Sequence, residues 1–104
     1  MKQTIGLYEF REAFRLHERT NFSYEGLEVL FDALEQDEID TGKQHELDVI
    51  ALCCDFVEMT ASEVRDYYPA STDWENVEEF LNCNTWICGS WLENQNKRFV
   101  FLNF

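Results

Sequence analysis

Seventeen of the 55 positions from 25 to 79 are Asp or Glu, and only Lys43 and Arg65 oppose them, so that stretch stands at −15. No fold buries such a charge without partners, and each carboxylate therefore marks a position that faces water or a cation. The apolar residues between the acids are left to build the core, and their spacing dictates the elements. The other 49 residues are slightly basic, at +2, which gives −13 for the whole chain of 104.

Within the acidic stretch, Leu27, Leu30, Phe31 and Leu34 form the apolar stripe of a helix, with Glu25, Glu28, Asp32 and Glu35 on its other side. Ser23 is placed to cap its start. Asp37-Glu38-Ile39-Asp40-Thr41-Gly42 reads as an acidic loop with a glycine stop. Ahead of it, Leu7, Phe10 and Phe14 predict a helix over 7–19. Arg11, Arg15 and Arg19 repeat at i+4 along one flank of that helix, diluted by Glu12 and Glu18. This basic stripe is expected to pair with the acidic belt or to face water.

The run 47–57 has no polar side in its middle, from Val49 to Cys54, and predicts a central strand covered on both faces. Thr60 with Glu63, and Thr72 with Glu75, fit the capping-box spacing. They predict short helices near 61–68 and 73–82, separated by a break at Pro69. Trp74, Val77, Phe80 and Leu81 give the later helix an apolar face, and Glu75, Glu78 and Glu79 a second acidic one. Residues 85–91 and 98–104 read as a hairpin around Glu93-Asn94-Gln95-Asn96, with Phe99 and Phe101 on one face and Val100 and Leu102 on the other. The whole predicts one domain over 1–104, of α+β class. It is a small three-stranded, mostly antiparallel sheet with four helices in the order ααβααββ.

Composition narrows the function classes. Apolar residues at 45% and aromatics at 15% are too many for a disordered acidic chain. No apolar run approaches the roughly 18–20 residues of a membrane span. Met1-Lys2-Gln3-Thr4 leads directly into an amphipathic segment rather than a signal sequence, so a cytoplasmic protein with reduced cysteines is expected. Cys53, Cys54, Cys83 and Cys88 lack the paired spacing of a structural zinc site. His17 and His45 are poorly placed to activate a thiol. No phosphate-cradling glycine loop or nucleophile elbow is present. The expectation is a protein without catalytic residues, metal or cofactor.

A net −13 repels nucleic acid and acidic membranes and attracts basic protein surfaces. Carboxylates at one-turn intervals on a helix lie about 5–6 Å apart. Two such helices side by side approach the charge density of duplex phosphates, one per about 3.4 Å of axis on each strand.

The segments Phe22-Ser23-Tyr24-Glu25-Gly26-Leu27, Leu30-Phe31-Asp32, Glu46-Leu47-Asp48-Val49-Ile50-Ala51-Leu52-Cys53-Cys54-Asp55-Phe56 and the closing aromatic strand resemble small acidic proteins of bacteriophages and mobile elements. That resemblance implies a phage-type origin and, by analogy with acidic inhibitors of CRISPR and restriction systems, a host-defence inhibitor of the DNA-mimic kind. The partner it implies is the basic, nucleic-acid-binding site of a host protein, with no direct nucleic-acid or membrane contact. The residues expected to carry the interaction are Glu25, Glu28, Asp32, Glu35, Asp37, Glu38, Asp40, Glu75, Glu78 and Glu79. The rival expectation is an aromatic interaction module or homodimer using Phe99, Phe101, Trp86 or Trp91, with the acidic face serving solubility alone.

Overall fold

A computed structural model describes residues 5–104; residues 1–4, read above as the lead into the first helix, lie outside the described residues. Chain order is α1 (Leu7–Leu16), α2 (Tyr24–Thr41), α3 (Val49–Asp55), β1 (Phe56–Thr60), α4 (Ala61–Tyr67), a 3₁₀ turn (Pro69–Asp73), α5 (Val77–Asn84), β2 (Ile87–Glu93) and β3 (Asn96–Leu102). The α+β class and the three-stranded antiparallel sheet agree with the sequence reading.

The helices begin where local chemistry satisfies their first N–H groups. Ser23 Oγ accepts from Gly26 N–H at 3.1 Å at the head of α2. Thr60 and Glu63 close a reciprocal capping box on α4, at 3.2 and 2.9 Å. The Thr72–Glu75 box does not form. Thr72 donates its hydroxyl to Pro69 O inside the 3₁₀ turn, and Asn76 caps α5 by accepting from Glu78 N–H. That helix therefore starts at Val77 rather than Asp73.

The largest departure is the apolar run 47–57, which is not a central strand. Asp48 Oδ1 accepts from Ala51 N–H at 3.1 Å and starts a helical turn. Val49, Leu52 and Phe56 are buried at helical spacing, while Ile50 and Cys54 face solvent. The chain extends only at Phe56, and β1 is an edge strand. The described residues thus hold five α-helices in the order αααβααββ, where four were expected. A short apolar run has no period of its own, and the Asp48 cap decides in favour of helix.

The strand order is β1-β3-β2, with Phe56 opposite Leu102 and Thr60 opposite Arg98 on one side of β3, and Glu93 opposite Asn96 on the other. Asn94 and Gln95 both take positive φ, 51° and 68°, as a two-residue hairpin loop that follows the strand twist requires. Side chains alternate across β3 as expected. Val100 joins the core under α1, α2 and α3, with Phe10, Phe14, Phe22, Leu27, Leu30 and Leu34. Phe99 and Phe101 join the opposite core under α4 and α5, with Val64, Val77, Phe80 and Leu81. Three helices cover one face of the sheet and two the other. Burying a side chain of this size stabilises by about 1.5–3 kcal/mol, so both apolar layers contribute substantially to the fold.

One polar group crosses into the first core. Glu58, on β1 and only 5% exposed, accepts from Ser23 N–H at 2.9 Å and from Ser23 Oγ at 3.0 Å, and pairs with Arg98 at 3.1 Å. It locks the start of α2 to the sheet. The helix approaches so closely there that a Cβ on Gly26 would meet the Glu58 carboxylate at 1.8 Å.

Candidate functional site

The acids expected in a loop after α2 are part of the helix itself. It continues through Thr41 and stops at Gly42, whose φ of 73° is left-handed and whose N–H reaches Glu38 O at 2.9 Å. At 18 residues the helix is about 27 Å long. Its inner stripe of Gly26, Leu27, Leu30 and Leu34 packs on the sheet, which turns the opposite stripe outward.

That outer stripe gathers Glu25, Glu28, Asp32, Glu35 and Asp40. Glu25, Glu28, Asp32 and Asp40 are exposed and Glu35 is half-buried. Glu28 lies 3.9 Å from Arg11, too far for a hydrogen bond, and Asp40 accepts from Gln36 at 3.0 Å. Ile39, 75% exposed, sits on the same stripe seven residues after Asp32. The stripe is a ridge of carboxylates with an apolar point near its end.

Asp37 and Glu38 have another task. Asp37 meets His45 Nε2 at 2.7 Å, and Glu38 accepts from the His45 backbone N–H. Together they fold the segment after Gly42 back along the helix. The structure therefore turns these two carboxylates toward their own chain, where the sequence placed them among partner-binding residues.

Glu75, Glu78 and Glu79 lie on the far side of the sheet from α2, because α5 belongs to the opposite layer. Glu79 is exposed. Glu78 pairs with Lys97 at 3.2 Å and accepts from Ser90 Oγ at 3.4 Å, and Glu75 precedes the helix. The two acidic helices are not side by side, so the continuous belt expected from the sequence is divided into two separate surfaces.

A groove of about 350 Å³ opens beside the ridge, between α2 and the residues at the head of β2. Asp32, Gln36, Asp37 and Asp40 line one side, and Trp86, 39% exposed, lines the other with Cys88. Gln36 escaped the sequence reading, which named Trp86 only for the rival aromatic module. The only sequence signal for Trp86 was an aromatic residue at a strand end, which marks core as often as surface. Burial pushes the Cys88 thiol up to about 12, so it is neutral at physiological pH.

Of the aromatics named in the rival reading, Trp86 is exposed and the other three are wholly or partly covered. Phe99 and Phe101 are buried under α4 and α5, and Trp91 is half-buried against the first core. Among the described residues, no group of three or more His, Cys, Asp and Glu is placed to hold a metal ion, and no helix is long and apolar enough to cross a membrane. Comparison with known protein families, with curated proteins and with solved structures yields no match.

Proposed function

We propose that the chain is a non-catalytic binding protein whose α2 ridge docks on a basic, nucleic-acid-binding surface of another protein. A host-defence nuclease, a CRISPR effector or a restriction enzyme, is the target class. The observation that carries this reading is the row of exposed Glu25, Glu28, Asp32 and Asp40, with half-buried Glu35 among them, along one helix face of a −13 chain. The row mimics the phosphates of one strand rather than a whole duplex, since the α5 acids face elsewhere. The groove beside it gives the ridge a specific anchor. An arginine or lysine of the partner fits between the Trp86 indole and the carboxylates of Asp32 and Asp40, joining cation–π attraction to charge pairing.

The test is displacement of duplex DNA from purified defence nucleases, followed by fluorescence anisotropy over a salt series. The wild-type protein competes with DNA, and more weakly as salt rises. Glu28→Lys/Asp32→Lys/Asp40→Lys abolishes competition with the circular dichroism unchanged, and Glu75→Lys/Glu79→Lys leaves it intact. Competition that survives the α2 reversals, or is lost equally with the α5 reversals, refutes the reading.

A further inference from the structure

A second groove lies on the α1 side of the acidic ridge. A groove of about 760 Å³, within the range of small-molecule sites, runs along α1 to the start of α2. Leu7, Phe14 and Leu27 form its apolar base, and Tyr8 and Tyr24 form its walls. Both tyrosines are about 70% exposed although they flank an apolar surface, at 73% and 69%.

The groove also holds three of the eight Lys and Arg residues of the chain, Arg11, Arg15 and Arg19. Two of them are engaged. Arg11 donates to Tyr24 O at 2.7 Å and lies 3.3 Å over the Tyr24 ring, which fixes that wall. Arg15 forks onto Glu12 at 2.7 and 3.1 Å and holds that carboxyl below its ordinary range. Arg19 differs. It is the one arginine among the described residues whose guanidinium makes neither a hydrogen bond nor an ion pair with another described residue. Arg65 donates to the carbonyls of Ser71, Trp74 and Glu75, and Arg98 pairs with Glu58 and Glu93.

The backbone holds Arg19 at the groove. Glu18 adopts a left-handed φ of 54°, and Arg19 N–H returns to Phe14 O at 3.0 Å, so α1 ends in a 6→1 closure without the usual glycine. Chain direction reverses there, and Arg19 and Thr20 line the same groove as Leu7 and Tyr8. An apolar trough with an unpaired guanidinium near the end of α1 is complementary to a molecule with an apolar body and a negative head.

We propose that this groove binds an amphipathic organic anion, its hydrocarbon or aromatic body between Tyr8 and Tyr24 and its carboxylate or sulfonate on Arg19. The excess negative charge elsewhere on the molecule works against adventitious anion binding, which makes a local anion preference diagnostic. Glu12 is held by Arg15, and Glu18 is the other carboxylate that lines the groove.

The test uses the full chain titrated with anilinonaphthalene sulfonate, then with laurate, dodecanol and dodecyltrimethylammonium as competitors below their micellar range. One fluorescent site forms, and laurate displaces the dye at concentrations at least about tenfold below dodecanol, the effect of one charge-assisted hydrogen bond. The cationic competitor fails. Arg19→Gln weakens laurate by about tenfold, Tyr24→Ala weakens laurate and dodecanol together, and Lys43→Gln, which removes an equal charge elsewhere, changes neither. Circular dichroism confirms that each variant is folded. No dye site, equal potency of laurate and dodecanol, or equal effects of Arg19→Gln and Lys43→Gln overturns the proposal.

Discussion

Replacing Glu58 by Ala removes the one carboxylate that ties the start of α2 to the sheet. Two hydrogen bonds from Ser23 and the pair with Arg98 are lost together. A hydrogen bond to a charged group contributes about 1.5–3 kcal/mol, and breaking a buried pair costs about 3–5 kcal/mol. Two features reduce the sum. Arg98 is 31% exposed and keeps Glu93 at 2.7 Å, and Ser23 is half-buried, so water reaches part of what is left unpaired. The expected loss is about 3 kcal/mol, a large fraction of the roughly 5–15 kcal/mol that stabilises a domain. Urea unfolding, followed by far-ultraviolet circular dichroism and tryptophan fluorescence, reads it as a lower midpoint at unchanged slope. Glu58→Gln, which keeps the shape and loses the charge, falls between wild type and Ala. The cycle through Arg98→Ala gives a coupling of at least about 1 kcal/mol. A loss below about 1 kcal/mol for Glu58→Ala, or no coupling to Arg98, would falsify the claim that this carboxylate joins the layers.

Gly26→Ala destabilises by about 2 kcal/mol in thermal melts although alanine is the better helix former by about 1 kcal/mol, because the new Cβ meets the Glu58 carboxylate. Glu18→Gly stabilises by about 0.5–1 kcal/mol by relieving the left-handed strain at the end of α1, and a lower melting temperature contradicts that geometry. Tyr68→Phe is neutral or stabilises by up to about 1 kcal/mol in urea melts, since the Tyr68 hydroxyl is enclosed with no hydrogen-bond partner among the described residues. Iodoacetamide at neutral pH modifies the exposed Cys54 and Cys83 first and the half-buried, neutral Cys88 more slowly, as mass spectrometry of digests detects. Because the Cys88 thiol ionises near 9 when unfolded and about 12 when folded, the unfolded chain releases its proton first. Cys88 therefore makes stability fall from about pH 9 toward pH 12.

The legible parts of the fold were those with a local chemical cause. Ser23, and Thr60 with Glu63, act on neighbours within three residues and start helices as expected, and Gly42 is a stop as expected, although the acids before it are helical rather than a loop. The alternation of Phe99, Val100 and Phe101 was also legible, because a strand between two cores imposes period two. The run 49–54 was not, because an unbroken apolar sequence fits a buried strand and a half-buried helix equally. The group that decides is Asp48, whose side chain caps Ala51 N–H and starts a helical turn. The candidate site divides in the same way. Spacing showed that Glu25, Glu28, Asp32 and Glu35 share a helix face. Nothing in it showed that α5 would lie across the sheet, or that Asp37 and Glu38 would hold the chain at His45, since both follow from tertiary packing.

The middle strand of the sheet is the last one in the chain. β3 supplies the hydrogen-bonding edge for β1 and for β2, and its side chains fill both cores. During synthesis the acidic helices leave the ribosome with their apolar stripes uncovered and no sheet to receive them, until residues 96–102 arrive. The pairing of Phe56 with Leu102 closes a long loop, and such non-local contacts slow folding. Over that interval the crowded carboxylates repel those of neighbouring half-made chains, which works against their association.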